Sequence, residues 1–172
     1  MTGRARVADL SVVPSIGGKD DEFWAGIRDA VLFQSGRPVL MVPDGASSAF
    51  GETVVVAWKD GVEAVHAVAA AAPFFAKAAS VSLLSVAESN EDDTSLAAMA
   101  EYLTLSGLKV DASRVAAPAG DVAKTLLSEA SAKSGALLVM GAYGHWRWRE
   151  WVFGGVTQEV LRNTTLPVLT AH

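Results

Sequence analysis

From Thr53 onward, short β-branched or leucine-rich runs alternate with stretches that carry apolar residues at helical spacing, and this alternation restricts the fold more than any other feature of the chain. Thr53 to Ala57, Val81 to Val86, Leu108 to Val115, Leu137 to Met140 and Leu166 to Leu169 are too short for helices and read as strands. Between them, Val62, Val65, His66 and Val68, then Leu96, Met99, Ala100 and Leu103, then Val122, Leu126, Leu127 and Ala130 fall on one face of a helix each. Such alternation implies right-handed crossovers. The expected class is therefore α/β, an open, mainly parallel five-stranded sheet with helices on both faces.

Local signals place the element ends. Asp60 and Asp121 read as N-caps, Gly107 and Gly135 as stops, and Pro73 removes a backbone bond that should end or kink its helix. Glu88, Glu91, Asp92 and Asp93 make a solvated loop. The methionine at 99 reads as core filling.

Upstream, Ala8 to Val13 reads as a strand and Glu22 to Gln34 as a helix capped by Asp20 or Asp21, with Phe23, Trp24, Ile27, Ala30 and Val31 at helical spacing. Gly36 and Pro38 stop it, and Val39 to Val42 follows as a strand. Pro43 to Ser48 is turn-rich, which divides the chain into a partial unit over 1–43, a linker over 44–52 and a complete domain over 53–172. Two strands and one helix cannot bury an apolar face alone, so the first unit must complete another sheet.

Composition excludes several classes. A net charge of -5 and a pI near 5.1 set an unfavourable field for nucleic acid, and no cysteine is present for thiolate or disulfide chemistry. The three histidines, His66, His145 and His172, are scattered in a way that matches no metal motif. No secretory pattern opens the sequence and no run reaches membrane-spanning length, so a cytoplasmic protein without a membrane partner is expected.

The candidate site lies after Met140. Gly141 and Gly144 bracket a turn, nine residues follow, and Gly154 and Gly155 stand directly before Val156, Thr157, Val160 and Leu161. Glycines let a ligand approach the backbone, and the second pair opens a helix whose free amides and positive dipole end attract phosphate. Arg147 and Arg149 add charge. Trp146, Trp148 and Trp151 can stack on a base, though packing against the sheet edge or a partner chain is the preferred reading. No nucleophile, base and orienting acid occur together, so no catalytic residue is named.

The spacing Gly-x2-Gly-x9-Gly at 141, 144 and 154 resembles the nucleotide motif of the universal stress protein family. Val-Ala-Trp-Lys-Asp-Gly at 56–61 resembles the family's first turn. The family's motif continues with Ser or Thr where this chain has Gly155, leaving Thr157 as the nearest hydroxyl. An aspartate usually ends the family's first strand; Lys59 stands there, unless Asp60 shifts in by one. The resemblance implies an adenine nucleotide alpha hydrolase-like (HUP) fold that binds ATP, with Mg2+, at Ala57, Trp58, Lys59, Asp60, Val86, Gly141, Gly144, His145, Arg147, Gly154, Gly155, Val156 and Thr157. Ser85 and Ala117 belong to the same expected cleft. At most slow ATP hydrolysis is implied. The alternative is a dimerising scaffold of the same fold that binds no nucleotide.

Residues 8–43 also resemble the final strand-helix-strand of a preceding domain, since Arg37-Pro38-Val39-Leu40 parallels Leu166-Pro167-Val168-Leu169. Family members often join through the last-strand edge, as homodimers or as tandem domains. Val39 to Val42 is thus expected antiparallel to Pro167 to Thr170, with Ala8 to Val13 one place further out. Phe23, Trp24 and Ile27 should then bury against the extended sheet.

Overall fold

The computed structural model describes residues 2–15, 21–47, 50–87, 94–134, 136–142 and 155–172. In chain order these form α1 (Thr2–Ala5), β1 (Ser11–Pro14), α2 (Asp21–Gln34), β2 (Val39–Val42), β3 (Thr53–Ala57), α3 (Val62–Ala70) and α4 (Ala72–Phe75). They continue with β4 (Ser80–Ala87), α5 (Thr94–Leu105), β5 (Val110–Ala116), α6 (Val122–Ser131), β6 (Ala136–Gly141), α7 (Gly155–Asn163) and β7 (Val168–Ala171).

The strands make one sheet in the order β1-β2-β7-β6-β3-β4-β5. It has seven strands rather than five, because the first unit adds its two strands to the same sheet. β7, β6, β3, β4 and β5 run parallel, β2 is antiparallel to β7, and β1 is parallel to β2. Val39 pairs with Thr170, Leu40 with Leu169 and Met41 with Val168, the expected direction and partners.

Period-2 alternation sorts the core onto two faces. Val54, Val56, Leu137 and Val139 pack under Ala64, Ala67 and Val68 of α3, Phe75 of α4 and Leu103 of α5. Val55, Leu138 and Met140 pack on the opposite face with Val31 and Leu32 of α2, Ala123, Leu126 and Ala130 of α6, and Val160 and Leu161 of α7. β6 is buried on both faces, which explains its unbroken apolar run, and each fully buried leucine or valine there contributes about 1.5–3 kcal/mol.

Local readings fare unevenly. Pro73 stands at the start of α4, and the helix before it ends at Ala70, as a residue without a backbone donor requires. The stop at Gly107 stands, with φ at 83°. α3 is capped by the backbone of Gly61, not by Asp60, which is exposed and makes no capping bond. Asp121 does occupy the N-cap of α6, but without a side-chain bond. The fifth strand begins two residues later than expected, at Val110, and β1 begins at Ser11, not Ala8. Residues before β1 instead form α1 and a turn, a single helical turn too short to show periodicity. Asp20, Gly135 and the acidic residues Glu88, Glu91, Asp92 and Asp93 lie outside the described residues.

The first unit repeats β6-α7-β7. Leu40 and Leu169 face one another, so a local twofold axis exchanges β2 with β7, and with them β1 with β6 and α2 with α7. The helix exits coincide. Ser35 Oγ accepts from the Arg37 amide at 3.1 Å, and Thr164 Oγ1 accepts from the Leu166 amide at 3.0 Å, each just before a proline. Counting back from Pro38 and Pro167 pairs Gly26 with Gly155 and Arg28 with Thr157.

At that point the two copies diverge. Arg28 is buried, forms an ion pair with the Asp21 carboxylate, and donates to the Ser15 carbonyl at 3.4 Å. α2 begins five residues earlier than the counterpart of Gly155, and its inward residues are Arg28, Val31 and Leu32. Phe23 is 67% exposed and Trp24 and Ile27 are only half-buried, because the helix is rotated to place that guanidinium inward. Phe33 meets the His172 ring edge-on at 5.1 Å and anchors the far end of α2.

Candidate functional site

The connection from β3 runs to β4 on one side, while β6 returns to pair with β3 on the other. This reversal marks the carboxyl ends of β3 and β6 as the place where open α/β sheets form a ligand crevice. In register, Ala57 lies beside Leu84 and Met140, so Trp58, Ser85 and Gly141 form the next row and the rim.

Gly141 is explained by packing. A Cβ there would lie 2.6 Å from the Ala64 nitrogen and 2.7 Å from the Glu63 carbonyl carbon, so the first turn of α3 rests directly on the end of β6. The glycine admits a helix backbone rather than a ligand at that point. Its consequence still bears on the site, because the N-termini of α3 and α7 are both brought to the same edge. The positive dipole ends of both helices therefore face that edge.

Trp58 is also accounted for by the fold. Its amide donates to the Leu84 carbonyl at 2.8 Å, its side chain is 5% exposed within the core under α3 and α5, and its indole Nε1 donates to Ser95 Oγ at 2.9 Å. The side chain therefore fixes the start of α5 to the β3 end. Lys59 and Asp60 follow on the exposed turn, and Ala57 and Val86 are half-buried at the strand ends. Ser85 and Ala117 are buried at the ends of β4 and β5.

On the other side of the crevice, Gly155 is the first residue of α7 and is exposed, and among the described residues nothing lies within 4 Å of where a Cβ would stand. Val156 is exposed, while Thr157 is buried and turned toward the sheet. Gly144, His145, Arg147 and Gly154, together with Arg149 and the three loop tryptophans, lie outside the described residues. Thus the structure brings together the β3 turn, the end of β6 and the start of α7.

Sequence reasoning missed Ser95, which holds Trp58, and the short contact behind Gly141. A buried tryptophan needs a partner for its indole N–H, but nothing in the spacing says which residue supplies it. Among the described residues no three histidine or acidic side chains gather to hold a metal, and no helix is long and apolar enough to cross a membrane.

The fold resembles solved universal stress proteins. One from Archaeoglobus fulgidus DSM 4304 superposes with a TM-score of 0.75 at 19% identity, over 99% of this chain and 63% of its own. Another from Archaeoglobus fulgidus gives 0.54 at 15% identity, over 67% of this chain and 94% of its own. The chain thus spans 63% of the length of the first of these relatives. No curated protein matches the chain. Residues 51–172, from just before β3 to the end of β7, match the universal stress protein family, to which the chain belongs.

Proposed function

We propose that this protein is a stress-response module that binds an adenine nucleotide, ATP with Mg2+, in the crevice between β3 and β6. The observation that carries the reading is the convergence of two helix N-termini, those of α3 and α7, on a strand-order reversal with Lys59 on the adjoining turn. Amides at the start of α7 would meet the phosphates and Lys59 would add a point charge. The adenine would lie toward Val86 and Ala117. Mg2+ would arrive on the nucleotide and keep water ligands, since the described residues offer it no cluster of carboxylates. The proposed role is binding, with at most slow ATP hydrolysis.

Isothermal calorimetry with folded, ligand-free protein tests this. Saturable heat with Mg-ATP in the micromolar to millimolar range is the expected result. Absence of heat at millimolar nucleotide would overturn the reading and leave a scaffold of the same fold.

A further inference from the structure

The turn that carries Lys59 is short and is anchored at both ends. Lys59, Asp60 and Gly61 join Trp58 to Val62, the first residue of α3, and the first two of them are exposed. At the far end the first turn of α3 rests on Gly141, backbone against backbone. At the near end the anchor is a side chain. The Trp58 ring is buried in the cluster that includes Ala64 and Ala67 of α3 and Leu103 of α5, and its amide donates to the Leu84 carbonyl at 2.8 Å.

Apolar contact has no direction, so the cluster by itself leaves the indole free to shift. The hydrogen bond from its Nε1 to Ser95 Oγ, at 2.9 Å, supplies the direction. Ser95 is the second residue of α5 and lies 37 residues along the chain, in neither β3 nor α3. A residue remote in sequence thus sets the point at which the chain leaves β3. Lys59 is the next residue. Its ammonium rides on a flexible four-carbon stem, and a ligand that uses it must meet the cost of ordering it, a cost that grows if the backbone beneath is loose as well.

We propose, on the footing that the crevice binds Mg-ATP, that Ser95 is a positioning residue for the nucleotide: by holding the Trp58 indole it fixes the turn from which Lys59 reaches the phosphates. Ser95 acts at a distance, through Trp58. A turn held before the nucleotide arrives does not have to be ordered on binding, and that saving appears as affinity. The coupling is reciprocal, so bound nucleotide restrains the Trp58–Ser95 bond in return.

Calorimetric titration of the full chain with Mg-ATP, together with 15N relaxation of the ligand-free protein, tests this. Ser95→Ala removes the acceptor at a helical position where alanine is well tolerated. It should weaken Mg-ATP binding about three- to tenfold, the equivalent of one hydrogen bond. The backbone order parameters of Lys59 and Asp60 should fall, while those of Val55 and Leu138 stay unchanged. Ser95→Thr keeps the hydroxyl and should restore both properties. In the unmodified chain, exchange of the Trp58 indole N–H should slow when Mg-ATP is added. A bond that served stability alone would lower the denaturation midpoint of Ser95→Ala and leave its Mg-ATP affinity equal to that of the unmodified chain; that result overturns the role of Ser95 while the nucleotide site stands. Unchanged order at Lys59 and Asp60, a Ser95→Thr variant as weak as Ser95→Ala, or indole exchange indifferent to Mg-ATP would overturn it too. No heat from the unmodified chain would overturn the nucleotide site itself, and the role of Ser95 with it.

Discussion

The backbone nitrogen of Ala64 stands 2.6 Å from the position a Cβ would take on Gly141, closer than any real methyl carbon approaches a backbone atom. Both atoms belong to rigid backbone, one at the end of a buried strand and one in the first turn of α3, so neither yields cheaply. Gly141→Ala should destabilise the fold by about 1–3 kcal/mol or more through overpacking. Denaturant unfolding measures this. A stability unchanged from the parent would show that α3 does not rest on β6 as described.

Thr170 offers the opposite case. It is fully buried in β7, and its Oγ1 has no hydrogen-bond partner among the described residues. The fold tolerates an apolar side chain at the matching place in the repeat, where Met41 is 1% exposed. Thr170→Val keeps the shape and removes the unsatisfied hydroxyl, so it should stabilise by about 1 kcal/mol. A raised denaturation midpoint with an unchanged m-value is the expected outcome.

Gly155 carries the departure from the family's nucleotide motif. Among the described residues nothing lies within 4 Å of an added Cβ, so none of them stands in the way of a serine. If the crevice holds phosphate, Gly155→Ser adds a hydroxyl at the helix N-terminus and should tighten Mg-ATP binding about three- to tenfold, the equivalent of one hydrogen bond. The same titration on the unmodified chain supplies the reference. Equal affinities would place the phosphates elsewhere.

Asp29, on the exposed side of α2, has its carboxyl raised above its ordinary value by partial desolvation, an effect that the neighbouring Arg28 partly offsets. The folded state therefore holds this proton more tightly than the unfolded one. Stability attached to the group is fully present below the unfolded value and is lost as pH rises through the folded value. Asp29→Asn should raise the melting temperature modestly at neutral pH, and the two proteins should converge in strong acid. A variant less stable than the parent at neutral pH would mean that the carboxylate makes a favourable contact there.

The order of strands and helices was legible because β6 and its neighbours are buried on both faces, which forces long apolar runs such as Leu137–Met140. That the first unit extends a sheet was legible as well, since a strand-helix-strand with an apolar face cannot stand alone, while the choice of β7 as its partner came from the resemblance to the family, whose members join through the last-strand edge. Interior choices were not. Val31 of the expected stripe is buried, but Phe23 stays outside while Arg28 and Leu32 turn inward, and a buried guanidinium is chosen only once Asp21 and the Ser15 carbonyl stand ready to satisfy it. Likewise, the sequence by itself marked Gly141 as a place of close approach, but which backbone approaches was settled by tertiary packing, where α3 reaches across the end of β6. Residue types and their periodicity determine what must be buried and where the chain turns, because those are local properties. What each buried group meets depends on contacts between segments far apart in the chain, and only the assembled sheet supplies them.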